Sequence, residues 1–259
     1  MPELPDVEGF RRYWSRYAVG RRVRDVRVPA PAIVRNRSAP GLARALEGRR
    51  FATPRRHGKW LFAPTEGPTL VLHFGMTGAL KWSRGSAPHH RHDRIILSLD
   101  GGELRYRNMR MLGGAWLARD DCELERITGP LGPDAARLDR KEFEDLLAGR
   151  RGGVKATLMN QRVVAGIGNE LSDEILWRAR VHPARPIPSL NERRRGALYR
   201  ALRRVLDASM RRGRIPRERG WLESQRGRAD ARCPRCRREL RRSKIAGRTS
   251  YWCSRCQRA

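Results

Sequence analysis

Four cysteines constrain the C-terminal part of this chain more than any other sequence feature does. They form two Cys-x-x-Cys pairs, Cys233-Pro-Arg-Cys236 and Cys253-Ser-Arg-Cys256, with sixteen residues between the pairs. This spacing is typical of a structural zinc site, in which four thiolates surround one Zn²⁺ and leave no position open for catalysis. Disulfides are the alternative, although nothing in the sequence suggests an oxidising compartment. We therefore predict one structural Zn²⁺ in a C-terminal hairpin, with Cys122 unpaired.

Alternating apolar and polar side chains dominate the N-terminal half, and this alternation predicts strands with one buried face. The alternation occupies residues 22–28, 59–63, 69–82 and 94–117. Glu66-Gly67-Pro68 and Asp100-Gly101-Gly102 separate such runs, and their glycines are expected to supply the positive φ angles of tight hairpins. The sequence thus predicts an antiparallel β-sandwich or barrel with one leading helix.

After Leu138 the apolar period becomes helical, which indicates a second domain. An arginine-rich segment, residues 191–212, predicts a long helix with Leu198, Leu202 and Leu206 along one face. Gly129-Pro-Leu-Gly-Pro133 is the clearest linker. We predict an α+β multidomain chain whose three domains are residues 1–130, 131–222 and 223–259.

The charge of the chain indicates a polyanionic partner. It has 57 Lys and Arg residues against 27 Asp and Glu residues, a net charge of +30, and nucleic acid is the leading candidate. Of the basic residues 52 are Arg and 5 are Lys, so a retained lysine suggests a position where a primary amine matters. Lys59 and Lys155 are two such positions, although a solvated surface lysine is the alternative for each.

No apolar run approaches the roughly 20 residues that cross a bilayer, and the N-terminus lacks a basic segment followed by an apolar one. We expect neither a membrane span nor a signal peptide. The expected location is the cytoplasm, in association with the nucleoid.

The N-terminus places a possible nucleophile beside a proton-transfer group. Removal of Met1 would expose the secondary amine of Pro2 next to the carboxylate of Glu3. An N-terminal amine titrates near ~8, so much of it is unprotonated and nucleophilic at neutral pH. A helix is predicted to begin at Leu4 to Asp6, and its N-terminus would favour this state further. Alternatively, Pro2 only makes Met1 removable and the next proline only starts a helix.

A second signal lies in residues 163–172, Val-Val-Ala-Gly-Ile-Gly-Asn-Glu-Leu-Ser, where two glycines lead into a helix. Glycines let a polymer backbone approach closely, and the free amides of a helix start bind phosphate. We therefore interpret this turn as a phosphate site with Asn169 as an extra donor. A plain turn with an Asn cap is the alternative.

Together these segments resemble one family. The motifs, ordered along nearly the whole chain, are Pro2-Glu-Leu-Pro-Asp-Val-Glu8, His73-Phe-Gly-Met-Thr-Gly-Ala-Leu80, Leu158-Met-Asn-Gln161 with Gly166-Ile-Gly-Asn169 and Asp173-Glu-Ile-Leu176, and Gly247-Arg-Thr-Ser-Tyr-Trp-Cys253. The chain is similar to the formamidopyrimidine-DNA glycosylase and endonuclease VIII family, and is closer to the formamidopyrimidine branch.

The resemblance implies a bifunctional DNA glycosylase and abasic-site lyase of base excision repair. It implies an N-terminal β-sandwich, a helix-two-turn-helix module and a zinc-finger hairpin, with double-stranded DNA between the two halves of a monomer. The damaged nucleotide must leave the base stack before it can react. Pro2 is then expected to attack C1′ of the deoxyribose and form an imine. Glu3 is expected to transfer protons during sugar opening and β,δ-elimination.

The resemblance also implies roles for further residues. Lys59 is expected to contact phosphate and assist elimination, Arg248 to hold the phosphates that flank the lesion, and Met76 to fill the gap left by the extruded nucleotide. Glu174 is expected to be a carboxylate near the nucleophile. Contacts with the DNA backbone are implied for His92, Arg110, Arg150 and Asn169.

Two departures from the family pattern bear on the lesion. Asn108-Met-Arg-Met-Leu-Gly113 stands where the branch usually has Asp-Pro-Arg-Arg-Phe-Gly, so Leu112 replaces an aromatic wedge. The segment from Arg211 to Arg232 is shorter than the loop that closes over 8-oxoguanine in relatives. Oxidised pyrimidines, formamidopyrimidines, abasic sites and bulkier adducts therefore stay open as substrates. A catalytically silent DNA-binding protein and an RNA-binding zinc-ribbon protein are the alternative functions.

Overall fold

The structure, a computed structural model, describes residues 1–84 and 87–258. The chain separates into two compact units. One contains Met1–Pro2 and Asp6–Pro130, and the other contains Glu3–Pro5 and Leu131–Ala259. Three residues near the N-terminus are thus grouped with the C-terminal unit. The division into three domains, with boundaries after residues 130 and 222, stays a prediction.

Two four-stranded antiparallel sheets form the N-terminal unit, with strand orders β1-β6-β7-β5 and β2-β3-β4-β8. The strands are β1 Val23–Arg27, β2 Arg55–His57, β3 Trp60–Pro64, β4 Thr69–His73, β5 Gly78–Ser83, β6 Asp93–Leu99, β7 Gly102–Asn108 and β8 Gly114–Ala118. The helices are α1 Leu4–Tyr17, α2 Ala39–Leu46 and α3 Asp121–Thr128.

The two sheets share one apolar core because each strand alternates buried and exposed positions. Leu72 of one sheet and Leu97 and Leu104 of the other are at most 3% exposed and belong to the same cluster. Trp14 of α1 packs into this cluster and meets Phe51 edge to face at 4.9 Å. The predicted sandwich with a leading helix is confirmed.

Three details of the predicted strands were wrong, and one of them is that residues 109–113 separate β7 from β8 within the predicted run 94–117. The run 69–82 contains β4 and β5, because a turn at Gly75 (φ +58°) interrupts it. A Cβ on Gly75 would lie 2.4 Å from the backbone nitrogen of Gly113, so a side chain does not fit there. Gly101 has the expected positive φ (+86°), but Gly67 does not have one. The Arg49 guanidinium occupies the space that a Cβ of Gly67 would need.

Helices dominate the C-terminal unit, and a two-stranded antiparallel hairpin ends it. Asn191 caps the long helix by accepting a hydrogen bond from the Arg194 amide, and Gly213 ends it with a left-handed residue. The elements are α4 Arg140–Leu147, α5 Val154–Met159, α6 Asn169–Ala179, α7 Glu192–Arg212, β9 Arg241–Ile245 and β10 Arg248–Trp252. This confirms the predicted α+β organisation.

In the described part of the chain, none of the helices combines the length and the apolar character needed to span a membrane.

Candidate functional site

The carboxylate of Glu3 is fixed at the N-terminus of α6. Its Oε2 accepts hydrogen bonds from the amides of Gly168 (2.8 Å) and Leu171 (3.2 Å), and its Oε1 accepts one from Glu170 (2.9 Å). Glu3 is fully buried. These amides have no intrahelical acceptor, and the positive end of the helix favours a negative charge. The arrangement therefore holds the side chain in one position.

The glycines before α6 make room for this carboxylate. A Cβ on Gly168 would lie 2.3 Å from both Cδ and Oε1 of Glu3. Gly166 has φ +106°, and a Cβ there would lie 2.4 Å from the side chain of Leu4. The prediction that free amides at this helix start bind phosphate was therefore wrong for the three amides that Glu3 occupies. The glycines do allow another segment to approach closely, but that segment is Glu3 and Leu4 of this chain.

A buried network next to this helix start is centred on Lys155. Its ammonium donates to Asp173 Oδ1 (2.5 Å), Asn169 Oδ1 (2.7 Å) and Ser250 Oγ (2.5 Å). Burial lowers the pKa of Lys155, although the Asp173 carboxylate opposes the shift. All three donors of the ammonium are used. The alternative of a solvated surface lysine was wrong for Lys155, whose role within this unit is to hold other side chains.

The same network connects α6 with the zinc hairpin. Asp173 Oδ2 accepts from the Tyr251 amide (3.0 Å) and from Arg226 Nη2 (2.6 Å). Asn169 Nδ2 donates to the Thr249 carbonyl (3.0 Å). Asn169 is thus held between α5 and β10, and its predicted contact with DNA stays a prediction. Sequence reasoning gave no role to Asp173 or Arg226, and the retained Lys155 and the Asn169 motif were its signals for this network.

The four cysteines lie together as the spacing predicts. Their Sγ atoms are all within 4.8 Å of one another, with 3.9 Å between Cys233 and Cys256 and 3.5 Å between Cys236 and Cys253. A Zn–S bond of about 2.3 Å in a tetrahedron requires S···S distances of about 3.8 Å. The thiolates therefore fit one structural Zn²⁺. No disulfide joins any of the five cysteines, so the alternative of disulfides was wrong.

The indole of Trp177 in α6 supports this centre by donating to Cys233 Sγ (3.3 Å). Burial raises the pKa of the Cys233 thiol, but this bond and nearby backbone amides outweigh it and lower the value to about 7. A lower pKa favours the thiolate that binds metal. Arg235 covers the Trp177 ring at 4.5 Å.

Arg248 lies at the tip of the zinc hairpin. The turn before it uses Ala246 (φ +51°) and Gly247 (φ +71°), and Arg248 starts β10 opposite Ile245. Its guanidinium is exposed and has no hydrogen-bond partner among the described residues. An exposed, unpaired arginine on a braced hairpin is suited to a phosphate.

Glu174 is fully buried and bonds to the segment that precedes the zinc finger. It accepts from Arg178 Nε (2.8 Å) and from the Glu223 amide (3.2 Å). Burial raises the pKa of Glu174 to about 7, while Arg178 and the amide oppose the shift. These bonds hold residues 222–225 against α6. A position of Glu174 near the nucleophile stays a prediction.

In the N-terminal unit, Lys59 occupies the β2–β3 turn after Gly58 (φ +55°). Its neighbour is His73, which ends β4. Burial and the Lys59 charge lower the pKa of His73 to about 4, so this imidazole is neutral at pH 7. Accordingly, His73 Nδ1 accepts a hydrogen bond from the Gly75 amide (3.3 Å).

Three apolar side chains form an exposed cluster on two adjoining loops of this unit. Met76, Met109 and Leu112 are 38%, 51% and 57% exposed. Arg110 joins the loops, because its amide donates to Thr77 Oγ1 (3.1 Å) and its guanidinium lies 3.6 Å from Met76 Sδ. Exposed apolar residues of this kind are typical of an interaction surface. Met76 is therefore not a core residue.

The two other predicted DNA contacts lie on loops, where His92 is half-buried and Arg150 is exposed. Pro2 is half-buried. His92 precedes β6, and its Nδ1 lies 3.1 Å from Arg94 Nη2. Local burial and the charges of Arg91 and other neighbours lower the pKa of His92. Arg150 follows α4 and donates to the Leu146 carbonyl (2.6 Å). The roles of Pro2, His92 and Arg150 stay predictions.

Family models match three parts of the chain. The formamidopyrimidine-DNA glycosylase N-terminal domain matches residues 1–115, and the H2TH domain of that enzyme matches residues 131–218. The zinc finger found in FPG and IleRS matches residues 232–259.

Curated relatives and solved structures agree with these matches. Formamidopyrimidine-DNA glycosylase of Rhodococcus opacus is 35% identical over 287 residues, which cover 100% of this chain and 98% of that protein. The enzyme of Symbiobacterium thermophilum is 36% identical over 272 residues, with 99% and 89% covered. The Lactococcus lactis enzyme, solved with abasic-site DNA, has a TM-score of 0.90 and 28% identity, with both chains fully covered.

A β-sandwich, a helical module and a four-thiolate zinc hairpin together define a zinc-containing class of DNA glycosylases. Within that class, the chain belongs to the formamidopyrimidine-DNA glycosylase family. It is a bifunctional DNA glycosylase and abasic-site lyase of base excision repair, with one structural zinc.

Proposed function

We propose that Pro2 is the nucleophile of both reactions and that Glu3 is their proton-transfer group. The observation that supports this most is the fixed Glu3 carboxylate, which three backbone amides hold one residue after Pro2. A catalytic acid or base must be held in position before the reaction starts, and this one is.

In the proposed reaction, Met1 is removed and the nitrogen lone pair of Pro2 attacks C1′ of the damaged nucleotide. The C1′–base bond breaks with its electron pair, and the base takes up a proton from water as it leaves. The Glu3 carboxylate accepts the proton that the Pro2 nitrogen loses and passes it to the ring oxygen of the sugar, whose bond to C1′ breaks as the imine forms. The imine draws electrons from C2′, so that loss of a C2′ proton expels the 3′ phosphate and a second elimination expels the 5′ phosphate.

Borohydride trapping on abasic-site DNA tests this assignment. Borohydride reduces the imine and leaves a covalent adduct, whose site peptide mapping identifies. Glu3→Gln is expected to lower strand cleavage at least about 10²-fold, because it removes the acid and base function. Pro2→Gly is expected to lower trapping. Pro5→Ala, which keeps Pro2 and Glu3, is the matched control and should trap normally.

Intact-mass measurement accompanies this test, because only a chain without Met1 has the amine. Variants of Pro2 and Glu3 that trap and cleave as well as the wild-type chain would show that the assignment is wrong. A chain that keeps Met1 and lacks activity would favour the catalytically silent DNA-binding protein.

We also propose that the partner is double-stranded DNA with a damaged base or an abasic site, bound by a monomer. The exposed Arg248 and the apolar cluster Met76, Met109 and Leu112 support this. In the proposal Met76 fills the gap in the stack, and Glu174 supports the active site. The other proposed contacts are Lys59, His92, Arg110, Arg150 and Asn169. Substitution of Arg248 by Ala should weaken binding of abasic-site duplex without changing zinc content.

Formamidopyrimidines are the first lesions to test. The Lactococcus lactis enzyme has been solved with DNA that contains N7-benzyl-Fapy-dG. The short segment before the zinc finger and Leu112 in place of an aromatic wedge argue against 8-oxoguanine as the preferred lesion. A panel of single-lesion duplexes under single-turnover conditions tests this, and faster release of 8-oxoguanine than of formamidopyrimidine contradicts it. A DNA partner also implies the cytoplasm and the nucleoid as the location, which fractionation tests.

A further inference from the structure

A cleft of about 300 Å³ lies in the C-terminal unit. Residues 219–232, which precede the zinc finger, form one wall, and the turn around Cys233 and Cys236, the first zinc knuckle, forms the other. We call it the arginine cleft, after four lining residues, Arg219, Arg228, Arg232 and Arg237. None of the residues proposed above to contact DNA or to catalyse the reaction lines it.

The cleft has uncompensated positive charge. Asp230 is the acidic residue in its lining, and Arg228 already pairs with it at 3.2 and 3.4 Å. Within the described ranges, the side chains of Arg219, Arg232 and Arg237 have no hydrogen bond or salt bridge, although the Arg232 charge contributes to the lowered pKa of Asp230. Three exposed guanidiniums therefore line one cavity without a hydrogen-bond acceptor, and each can offer two parallel donors to an oxyanion.

Both walls of the cleft are held in place. On one side, Arg226 binds Asp173 (2.6 Å) and Glu223 (2.9 Å), which fixes the short 3-10 helix Leu222–Gln225. Gln225 Oε1 accepts a hydrogen bond from the Arg232 amide (3.2 Å) and so connects the two walls. The zinc ligands fix the other wall.

Arg237 occupies a position that favours glycine. It has φ +64°, and its amide donates to the Cys233 carbonyl (2.9 Å) as the knuckle closes. An L-residue in this left-handed conformation is strained relative to glycine. The Arg237 backbone is thus strained, although its side chain makes no hydrogen bond among the described residues. This combination suggests that the guanidinium binds a ligand.

The size and lining of the cleft indicate its ligand. A water molecule takes up about 30 Å³, so the cavity has room for a group much larger than a single-atom anion. Among the described residues that line the cleft, none has an aromatic ring on which a base could stack, and Pro234 is apolar. Such a lining is suited to linked phosphates and not to bases.

We propose that the arginine cleft is a phosphate-binding site for a phosphodiester or polyphosphate chain, separate from the Arg248 contact. It goes beyond the proposed function, because neither base removal nor strand cleavage requires it. The same chemistry has two sources, a nucleic-acid backbone and a free polyphosphate, and the experiment distinguishes them.

The test uses the full-length, zinc-loaded chain and inorganic pyrophosphate as the probe. Calorimetry is expected to detect pyrophosphate binding by the wild type and a loss of about tenfold or more in the double variant Arg219→Ala/Arg237→Ala. The matched control is Arg44→Ala/Arg200→Ala, which removes the same charge from exposed positions on α2 and α7. The control should change affinity by less than about twofold. Zinc content and unfolding midpoint verify that both variants fold.

A second arm adds lesion-free duplex DNA. The site is assigned to a nucleic-acid backbone if duplex DNA competes with pyrophosphate and if the cleft variant binds duplex more weakly than the control variant does. Undiminished pyrophosphate binding in saturating duplex assigns it to a free polyphosphate. No pyrophosphate binding by the wild type, or equal losses in the cleft and control variants, overturns the proposal. Pro2 trapping is measured in parallel and is expected to persist, so failure here is distinct from failure of the catalytic assignment.

Discussion

At the scale of single residues, Gly168 fixes the position of the Glu3 carboxylate in two ways. It provides one of the three amides that hold Glu3 and, by lacking a Cβ, the space that the carboxylate occupies. The position of a proposed catalytic group therefore depends on a residue with no chemistry of its own.

Substitution of Gly168 by Ala is expected to abolish activity without abolishing folding. The added Cβ would lie 2.3 Å from the Glu3 carboxyl carbon, so the carboxylate must leave its amide donors. Abasic-site cleavage should fall by at least about 10²-fold, as for loss of the acid itself. Single-turnover cleavage of an abasic-site duplex measures this.

Gly152→Ala is the matched control for that experiment. A Cβ on Gly152 has its nearest neighbour at 3.8 Å, an ordinary contact, so this variant should cleave like the wild type. Full activity in Gly168→Ala would contradict the assigned position of Glu3.

His73 predicts a pH dependence of stability. Its pKa falls from 6.5 to about 4 in the folded state, so folding favours the neutral imidazole. The stabilisation is complete above the unfolded pKa and is lost as pH falls from 6.5 towards 4. At pH 5 the loss is up to about 2 kcal/mol. Urea unfolding at pH 7.5 and pH 5 should show a larger decrease for the wild type than for His73→Asn, and equal decreases would refute the shift.

At the scale of elements, α6 joins most of the site. Its N-terminus binds Glu3, Asp173 on its second turn binds Lys155 and the zinc hairpin, and Trp177 near its C-terminus donates to a zinc ligand. The hairpin is braced by this helix, because its two strands alone form a sheet too small for independent stability.

Loss of zinc is therefore expected to release the hairpin and abolish DNA binding. Structural Zn²⁺ supplies folding free energy directly, on the order of 10 kcal/mol in small zinc modules. Cys236→Ser should lower the zinc content and weaken binding of abasic-site duplex, whereas Cys122→Ser should bind one zinc per chain as the wild type does. Metal analysis and a binding titration check both. Tight DNA binding by a zinc-free chain would contradict this prediction.

At the scale of the whole molecule, a net charge of +30 makes long-range electrostatics dominant. Lys59, Arg110, Arg150 and Arg248 are four proposed cationic phosphate contacts. A plot of log affinity against log salt for duplex DNA should then have a slope of about −4 or steeper, and Arg248→Ala should reduce it by about one. Fluorescence anisotropy at several salt concentrations measures the slope. A flat response would rule out these contacts.

Some features could be predicted because the information is local. Alternation predicted the strands, the leucines of residues 191–212 predicted α7, and the cysteine spacing predicted the zinc ligands. The break between β4 and β5 could not be predicted, because it depends on close packing of Gly75 against Gly113 from another loop. The same holds for Gly67, where the guanidinium of a distant arginine, and not a positive φ, accounts for the crowding beside the glycine.

By itself, the sequence determined most of the strands, the long helix α7, the four zinc ligands and the family, and it placed Pro2 next to Glu3 along the chain. Only the tertiary structure decided that the Glu3 carboxylate occupies the start of α6, 165 residues away, and that Lys155 is buried beneath the hairpin. Backbone amides bind Glu3, and every residue except proline carries such an amide, so residue types do not reveal which amides are free. Folding decides which of them meet a carboxylate.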